Sequence, residues 1–118
     1  MEKIKQFLIS KKLCDPSFIE NMDTYFDYID PEMIEFCGCY IIDGKFKAKI
    51  PNIIDEFTRS VAIHELGHLY DYYTTGDIIE DEERSLMWGI SYLKDSKNHE
   101  LLSKRLNEIS GHPNNKHK

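Results

Sequence analysis

The chain contains 118 residues, enough for one small domain with its own hydrophobic core but not for two. Its net charge of −6 argues against nucleic acid as a partner, because phosphate binding requires a basic surface. Charged residues interrupt the apolar residues near the N-terminus, and no apolar run is long enough to cross a membrane. Three cysteines are an odd number, which favours free thiols in a reducing compartment. We therefore expect a cytoplasmic protein with neither a nucleic-acid nor a membrane partner.

Two helices are predicted at the start of the chain. Apolar residues at helical spacing indicate the first over residues 2–13. Asp15-Pro16 is a typical N-cap followed by proline at the first helical position. Apolar and aromatic residues then continue at spacings of three and four, so the second helix should run to about Tyr28 before another Asp-Pro pair ends it.

A β-hairpin is predicted between residues 34 and 50. Asp43-Gly44 is a typical two-residue hairpin turn. In the strand that follows, apolar residues alternate with lysines, so one side should face the core and the other side solvent. The lysines also suggest an edge strand, on which an extended peptide could align by strand addition. The alternating residues are Lys45, Phe46, Lys47, Ala48, Lys49 and Ile50.

A long central helix is predicted after the hairpin. Asn52 or Asp55 can cap it, and it should run to about Tyr73 before a Thr-Thr-Gly sequence stops it. Asp77 and Glu80 form a pair similar to a capping box, which would open the next helix.

The remaining residues complete an α+β architecture. The helix after the central one should end near Lys94. Asn98 is a candidate cap for a last helix, which a Gly-His-Pro sequence should end, and residues 114–118 should form a flexible tail. We therefore expect one α+β domain over residues 1–113, in which a small β-hairpin or sheet packs on the central helix, with further helices at both ends.

The central helix carries a His-Glu-x-x-His sequence. His64 and His68 are four residues apart, so both imidazoles lie on one face of the helix and can bind one metal ion. Glu65 lies beside them, where its carboxylate could accept a proton from water that the ion activates. A catalytic zinc site takes three protein ligands and leaves a fourth position to water, so a third ligand is required.

Helix geometry narrows the search for the third ligand. The central helix rises by roughly 7.5 Å after His68, and a turn would send the next helix back antiparallel. A return of about 6–7.5 Å brings Glu82 or Glu83 level with that histidine. Periodicity does not separate the two glutamates, and acids are also favourable in the first turn of any helix. A glutamate on an apolar helix face is costly unless it is paired or binds a metal, which favours ligation by one of them.

These two helices resemble those of the gluzincin metallopeptidases. After the third ligand, gluzincins often have a small residue at the third position, an aromatic residue at the sixth and Gly or Ala at the seventh. Counting from Glu82 gives Ser85, Trp88 and Gly89, whereas counting from Glu83 fits worse. The resemblance, which covers residues 40–93, therefore implies a zincin-like domain with Glu82 as the third ligand.

The chain departs from the gluzincin pattern at one position, and its central helix resembles that of some gluzincins more closely than others. Thermolysin-like members have an acid at the fourth position after the ligand, where this chain has Leu86, so that partner of a histidine is absent or supplied elsewhere. The lethal-factor catalytic domain and the Pro-Pro endopeptidases have a helix similar to His-Glu-x-Gly-His-x-x-Asp, which Asp71 matches. Minimal one-domain gluzincins are similar in layout. The metzincin pattern is excluded, because Asp71 and Thr74 stand where that family has Gly and His.

Other side chains could also belong to the site. Cys37 or Cys39 could donate a thiolate, as in peptide deformylase, but the neighbouring residues differ and both fit better as small buried hydrophobes on one strand face. Three further histidines are expected to be exposed, and three tyrosines of the central helix are expected to pack, although one of them could stabilise an oxyanion. These residues are His99, His112 and His117, and Tyr70, Tyr72 and Tyr73.

The resemblance implies a zinc-dependent endopeptidase, a hydrolase of the metallopeptidase class. Zn²⁺ would be bound by His64, His68 and Glu82, and Glu65 would be the general base in the hydrolysis of a peptide or protein substrate. The competing expectation is a non-catalytic regulatory or interaction protein that keeps a zinc-binding fold, because so small a domain has little room for a deep cleft. A third possibility is that the two histidines bind no metal.

Overall fold

A computed structural model describes residues 1–77 and 81–110, in which five α-helices accompany a small three-stranded sheet. The elements in chain order are α1 (Glu2–Lys11), α2 (Pro16–Asn21), β1 (Phe26–Ile29), β2 (Gly38–Ile42), β3 (Lys45–Pro51), α3 (Glu56–Thr75), α4 (Glu82–Leu93) and α5 (His99–Ser110). Short 3₁₀ helices cover Met22–Tyr25 and Pro31–Phe36. These elements confirm the α+β prediction. Within the described residues, no helix combines the length and the apolar character needed to cross a membrane.

The second predicted helix ends earlier than expected. Pro16 begins α2 as predicted, but the helix stops at Asn21 and, after a 3₁₀ turn, the chain enters β1. The prediction of helix as far as Tyr28 is therefore wrong. β1 pairs in parallel with β3, with Phe26 opposite Ala48, and this pairing satisfies backbone groups that a helix would otherwise have to satisfy. Aromatic residues such as Phe26 and Tyr28 also suit a strand.

The predicted hairpin turn is confirmed. Asp43 and Gly44 have φ values of 52° and 77°, the left-handed conformation that a two-residue hairpin turn requires. The turn joins β2 and β3 as an antiparallel pair, in which Ile42 lies opposite Lys45. The alternation within β3 is also confirmed, because its apolar residues are buried and its lysines are at least partly exposed.

The edge-strand prediction for β3 is wrong. The strand order is β1-β3-β2, so β3 is paired on both sides. Two of its three lysines contact the neighbouring strands: Lys47 Nζ lies 3.2 Å from Asp27 Oδ1 of β1, and Lys49 Nζ lies over the ring of Tyr40 of β2. Cross-strand partners therefore explain Lys47 and Lys49. Strand addition to β3 is excluded, and the outer strands of the described sheet are β1 and β2.

α3 lies between the sheet and α4, and most of its residues from Phe57 to Leu69 are buried. Asp55 is its N-cap: the carboxylate accepts a hydrogen bond from the N–H of Thr58 at 2.8 Å, within a reciprocal capping box. This hydrogen bond identifies Asp55, and not Asn52, as the cap that the sequence had left open. The helix ends where Gly76 adopts the left-handed conformation, with φ of 78°, close to the predicted stop.

α4 begins later than the sequence suggested. Asp81 is its N-cap, because its carboxylate accepts a hydrogen bond from the N–H of Arg84 at 3.0 Å. The prediction that Asp77 and Glu80 open this helix is therefore wrong, and Glu80 itself lies outside the described residues. α4 ends at Leu93, next to the predicted end.

α5 begins at His99, directly after the predicted cap Asn98, whose carbonyl oxygen accepts a hydrogen bond from the N–H of Leu102 at 3.0 Å. The Gly-His-Pro sequence predicted to end this helix, and the predicted tail at residues 114–118, lie outside the described residues.

Two glycines allow α4 to lie close to its neighbours. A Cβ atom on Gly67 of α3 would meet Oγ of Ser85 in α4 at 2.5 Å. A Cβ atom on Gly89 of α4 would meet the carbonyl oxygen of Ser60 in α3 at 2.9 Å and a methyl group of Leu106 in α5 at 2.5 Å. Neither gap admits a methyl group, so this packing requires glycine at both positions.

Replacing Gly89 with alanine should therefore destabilise the protein by about 1–3 kcal/mol, because the new methyl group has to push α4 away from a backbone carbonyl of α3. Urea unfolding monitored by circular dichroism measures this change. Alanine normally stabilises a helix relative to glycine, so a loss of stability in Gly89→Ala would point to the close packing and not to helix propensity. Gly38→Ala is the matched control, because a Cβ atom there has no neighbour within 4 Å. Equal stability of Gly89→Ala and wild type would contradict the packing argument.

Candidate metal centre

Consecutive turns of α3 and the first turn of α4 bring together the three side chains predicted to bind a metal ion. His64 and His68 are buried, with 4% and 9% of their surface exposed, and Glu82 is half-buried. Nε2 of His64 lies 3.2 Å from Oε1 of Glu82, and Nε2 of His68 lies 3.2 Å from Oε2 of the same carboxylate. One carboxylate therefore faces both imidazoles.

The geometry of this group fits a metal ion. One ligand atom from each of the three side chains can be chosen so that all lie within 4.8 Å of one another. Two ligands at about 2.0–2.2 Å from a tetrahedral zinc ion are separated by roughly 3.3–3.5 Å. The 3.2 Å separations found here, which end on different oxygens of the same carboxylate, are close to that value. Two imidazoles and a carboxylate are also a donor set that zinc and other divalent transition metals accept. The group could therefore hold a metal ion.

The carboxylate and the histidines shift one another's pKa. Burial raises the pKa of Glu82, but hydrogen bonds and charges from both histidines outweigh burial and hold this pKa well below its usual range. Burial lowers the pKa of His68, yet its hydrogen bond to Glu82 and the negative charges around it raise this pKa overall. Glu82 is therefore negatively charged at neutral pH, as a ligand of a divalent cation must be.

Ser85 provides a partner for the second ring nitrogen of His68. Its hydroxyl oxygen is fully buried and lies 3.4 Å from Nδ1 of His68. Metal-binding histidines generally engage this second nitrogen with a polar group, which sets the orientation and tautomer of the ring. Ser85 can therefore orient the imidazole ring of His68. Nδ1 of His64, by contrast, is buried without a hydrogen-bond partner among the described residues.

Arg84 joins α4 to the C-terminal half of α3, beside Glu82. Its Nη2 donates a hydrogen bond to the carbonyl oxygen of Gly67 at 2.8 Å and lies 2.6 Å from Oδ1 of Asp71. Its guanidinium lies over Trp88, 4.9 Å from the ring centre. Asp71 therefore anchors α4 in addition to matching a family pattern. Sequence reasoning missed Arg84, because no local pattern links it to residues of the preceding helix.

Glu65 lies on the side of the centre next to the sheet. It is buried, with 7% of its surface exposed, and its Oε2 is 4.0 Å from Nε2 of His64. Its Oε1 lies 3.4 Å from the sulfur of Cys39 in β2. Glu65, the predicted base, is thus next to the imidazole of His64, whereas Glu82 reaches both imidazoles from α4.

The two cysteines near β2 have different surroundings. Cys37 follows a 3₁₀ helix as its C-cap and packs against the apolar cluster around Phe57, whereas Cys39 packs against the cluster between the sheet and α3. The expectation that they share one strand face is therefore wrong. Burial, with a contribution from the charge of Glu65, raises the pKa of Cys37 to about 12 and that of Cys39 well above its usual value. The group that could hold a metal ion contains neither sulfur.

The other predicted acids and histidines lie apart from this group. Glu83 is exposed, so the geometry separates the two glutamates that periodicity left open. His99 is exposed as predicted. His112 and His117 lie outside the described residues.

The three tyrosines of α3 contact other elements, as predicted. The ring of Tyr72 packs on Phe46, with 4.7 Å between the ring centres. The hydroxyl groups of Tyr70 and Tyr73 contact backbone and side-chain atoms at the start of α2, at 3.2 Å and 2.9 Å. The hydroxyls of Tyr70 and Tyr73 therefore hold α2 against α3.

Comparison with known proteins found no relative of this chain. No protein-family model, no curated protein and no solved structure matches the chain. Membership of the gluzincins, and with it a zincin-like fold, stays a prediction from the motif residues.

Replacing Glu82 with glutamine should lower the affinity for zinc by at least about 100-fold, because loss of a direct ligand exceeds the 10–100-fold effect of residues behind the ligands. Isothermal titration calorimetry of the metal-free protein measures this affinity. Glu83→Gln is the matched control, because it removes the same charge from the same helix turn at an exposed position. Equal effects of the two substitutions would contradict the assignment of Glu82.

Replacing Ser85 with alanine should lower zinc affinity by about 10-fold, because Nδ1 of His68 loses the partner that orients its ring. Competition with a coloured zinc chelator measures the change. Ser60→Ala is the control: it also removes a buried hydroxyl group, but one that donates to the carbonyl oxygen of Phe57 instead of contacting a histidine. Unchanged affinity of Ser85→Ala would show that the hydroxyl does not orient His68.

Proposed function

We propose that the protein is a zinc-dependent endopeptidase. The observation that carries the proposal is the position of Glu65, whose buried carboxylate has Oε2 at 4.0 Å from Nε2 of His64. A structural metal site has no need of a further carboxylate beside its ligands. Hydrolysis does need one, because a base must take a proton from water at the metal. The pairing of a three-ligand group with a neighbouring base therefore favours a hydrolase over a structural zinc protein.

Each residue has a distinct role in this proposal. His64, His68 and Glu82 hold zinc, which supplies Lewis-acid chemistry by acidifying water and polarising a carbonyl group. Glu65 accepts a proton from the attacking water and delivers it to the leaving nitrogen as the peptide bond breaks. Ser85 orients His68 and does not touch the reacting atoms.

β2 is the candidate surface for an extended substrate. It is an outer strand of the described sheet, and Cys39 in its middle contacts Glu65. A peptide added to the outer edge of β2, as the described sheet presents it, would therefore run past the base. Ile41 and Ile42 are 50% and 51% exposed on this strand and provide apolar contacts for substrate side chains. The proposed site of strand addition thus moves from β3 to β2.

The test combines zinc content with cleavage of a fluorogenic peptide library, for wild type, Glu65→Gln and His68→Ala. Glu65→Gln should keep its zinc and lose cleavage by at least about 100-fold, because general base catalysis is lost while all three ligands remain. His68→Ala should lose both zinc and cleavage, and a chelator should abolish cleavage by the wild type.

Glu83→Gln again serves as the control and should cleave at the wild-type rate. Cleavage by Glu65→Gln at the wild-type rate would contradict the proposed mechanism. Stoichiometric zinc without cleavage by the wild type would favour the non-catalytic zinc-binding alternative.

A further inference from the structure

The carboxylate of Glu65 is held between two parts of the molecule. Its Oε2 faces the metal centre, 4.0 Å from Nε2 of His64. Its Oε1 faces β2, where the thiol of Cys39 lies 3.4 Å away, and the same sulfur is 3.7 Å from the carbonyl oxygen of Glu65. One oxygen is therefore directed at the site of reaction and the other at the sheet.

The thiol is the hydrogen-bond donor in this contact, and the carboxylate oxygen is the acceptor. Among residues 1–77 and 81–110, no other side chain donates a hydrogen bond to this carboxylate. The donor is also on a rigid element, since Cys39 is paired with Ala48 of the central strand and its side chain packs against the core. Rotation of the Glu65 carboxylate about its last bond would break the contact.

We propose that Cys39 is a positioning residue that holds the Glu65 carboxylate with Oε2 towards the metal centre. The thiol is neither a nucleophile nor a metal ligand in this arrangement, and no covalent step involves it. The inference rests on the proposed function, because its consequence for rate requires Glu65 to act as the base. A general base out of position by a fraction of an ångström loses much of its efficiency, so a single weak hydrogen bond can affect catalysis.

Infrared spectroscopy of the zinc-loaded protein tests the contact without any substrate. A thiol that donates to a carboxylate has an S–H stretch at lower frequency than a free thiol, and Cys39→Ala identifies the band. We expect the Cys39 band to be the lowest of the three thiol bands and to rise in Glu65→Gln, because an amide oxygen is a weaker acceptor than a carboxylate. Cys37→Ala should leave the band unchanged. A Cys39 band that does not respond to Glu65→Gln overturns the proposal.

Kinetics on a cleaved peptide test the consequence for catalysis. Cys39→Ala should lower kcat by about 10-fold with KM and zinc content unchanged, since the base is still present but less well oriented. Cys39→Ser should recover most of the loss, because its hydroxyl group donates the same hydrogen bond. Cys37→Ala is the control and should match the wild type. Cys39→Ala with an unchanged kcat overturns the proposal.

A failure of the proposed function can be distinguished from a failure of the role proposed for Cys39. If the wild type cleaves no peptide, the proposed function fails, while the infrared band still decides whether Cys39 holds the carboxylate. If cleavage is present and depends on Glu65, but either the infrared band or kcat does not respond as expected, the proposed function stands and the role of Cys39 fails. A cleavage defect in Cys39→Ser equal to that in Cys39→Ala would indicate lost packing and would also count against positioning.

Discussion

Glycine at positions 67 and 89 lets α4 approach α3 so closely that there is no room for a methyl group between them. The rest of the site follows from this approach. Glu82 stands at the first position of α4 and reaches both imidazoles at 3.2 Å, and Ser85, one turn later, reaches the other side of His68. The residues that make the helix contact tight therefore also make the metal group complete.

The site places several ionisable groups where little water reaches, which is unfavourable unless each has a partner. Glu82 provides that partner for the two histidines, and Arg84 provides it for Asp71. Glu65 is instead paired with a thiol of the sheet. Glu82, which would bind the metal, is therefore positioned by α4. Glu65, which would move protons, is contacted by Cys39 of β2. In the proposed function, this separation would let Glu82 be fixed as a ligand while Glu65 remains available for proton transfer.

How much could be predicted from the sequence depended on the range of the interactions. Local signals were sufficient for the Asp43-Gly44 turn and for the helix that carries both histidines, and they narrowed the cap of that helix to Asn52 or Asp55, because each of these features arises from residues close in sequence. Helix rise and one turn narrowed the third ligand to Glu82 or Glu83, and only the resemblance to the gluzincin pattern favoured Glu82.

Long-range contacts account for what was missed. The chain at Phe26 has apolar residues at helical spacing, and only pairing with β3 makes it a strand. The lysines of β3 looked like those of an edge strand until their partners in β1 and β2 were known. The contacts of Arg84 with Gly67 and of Cys39 with Glu65 join residues far apart in sequence, so no local pattern could indicate them.

The central claim is that His64, His68 and Glu82 together bind one metal ion. X-ray absorption spectroscopy of the zinc-loaded protein tests it most directly, because the spectrum reports the ligand atoms themselves. We predict a shell of nitrogen and oxygen atoms at about 2.0–2.2 Å, with outer scattering from two imidazoles and no sulfur. A sulfur atom at about 2.3 Å, or scattering from fewer than two imidazoles, would contradict the account.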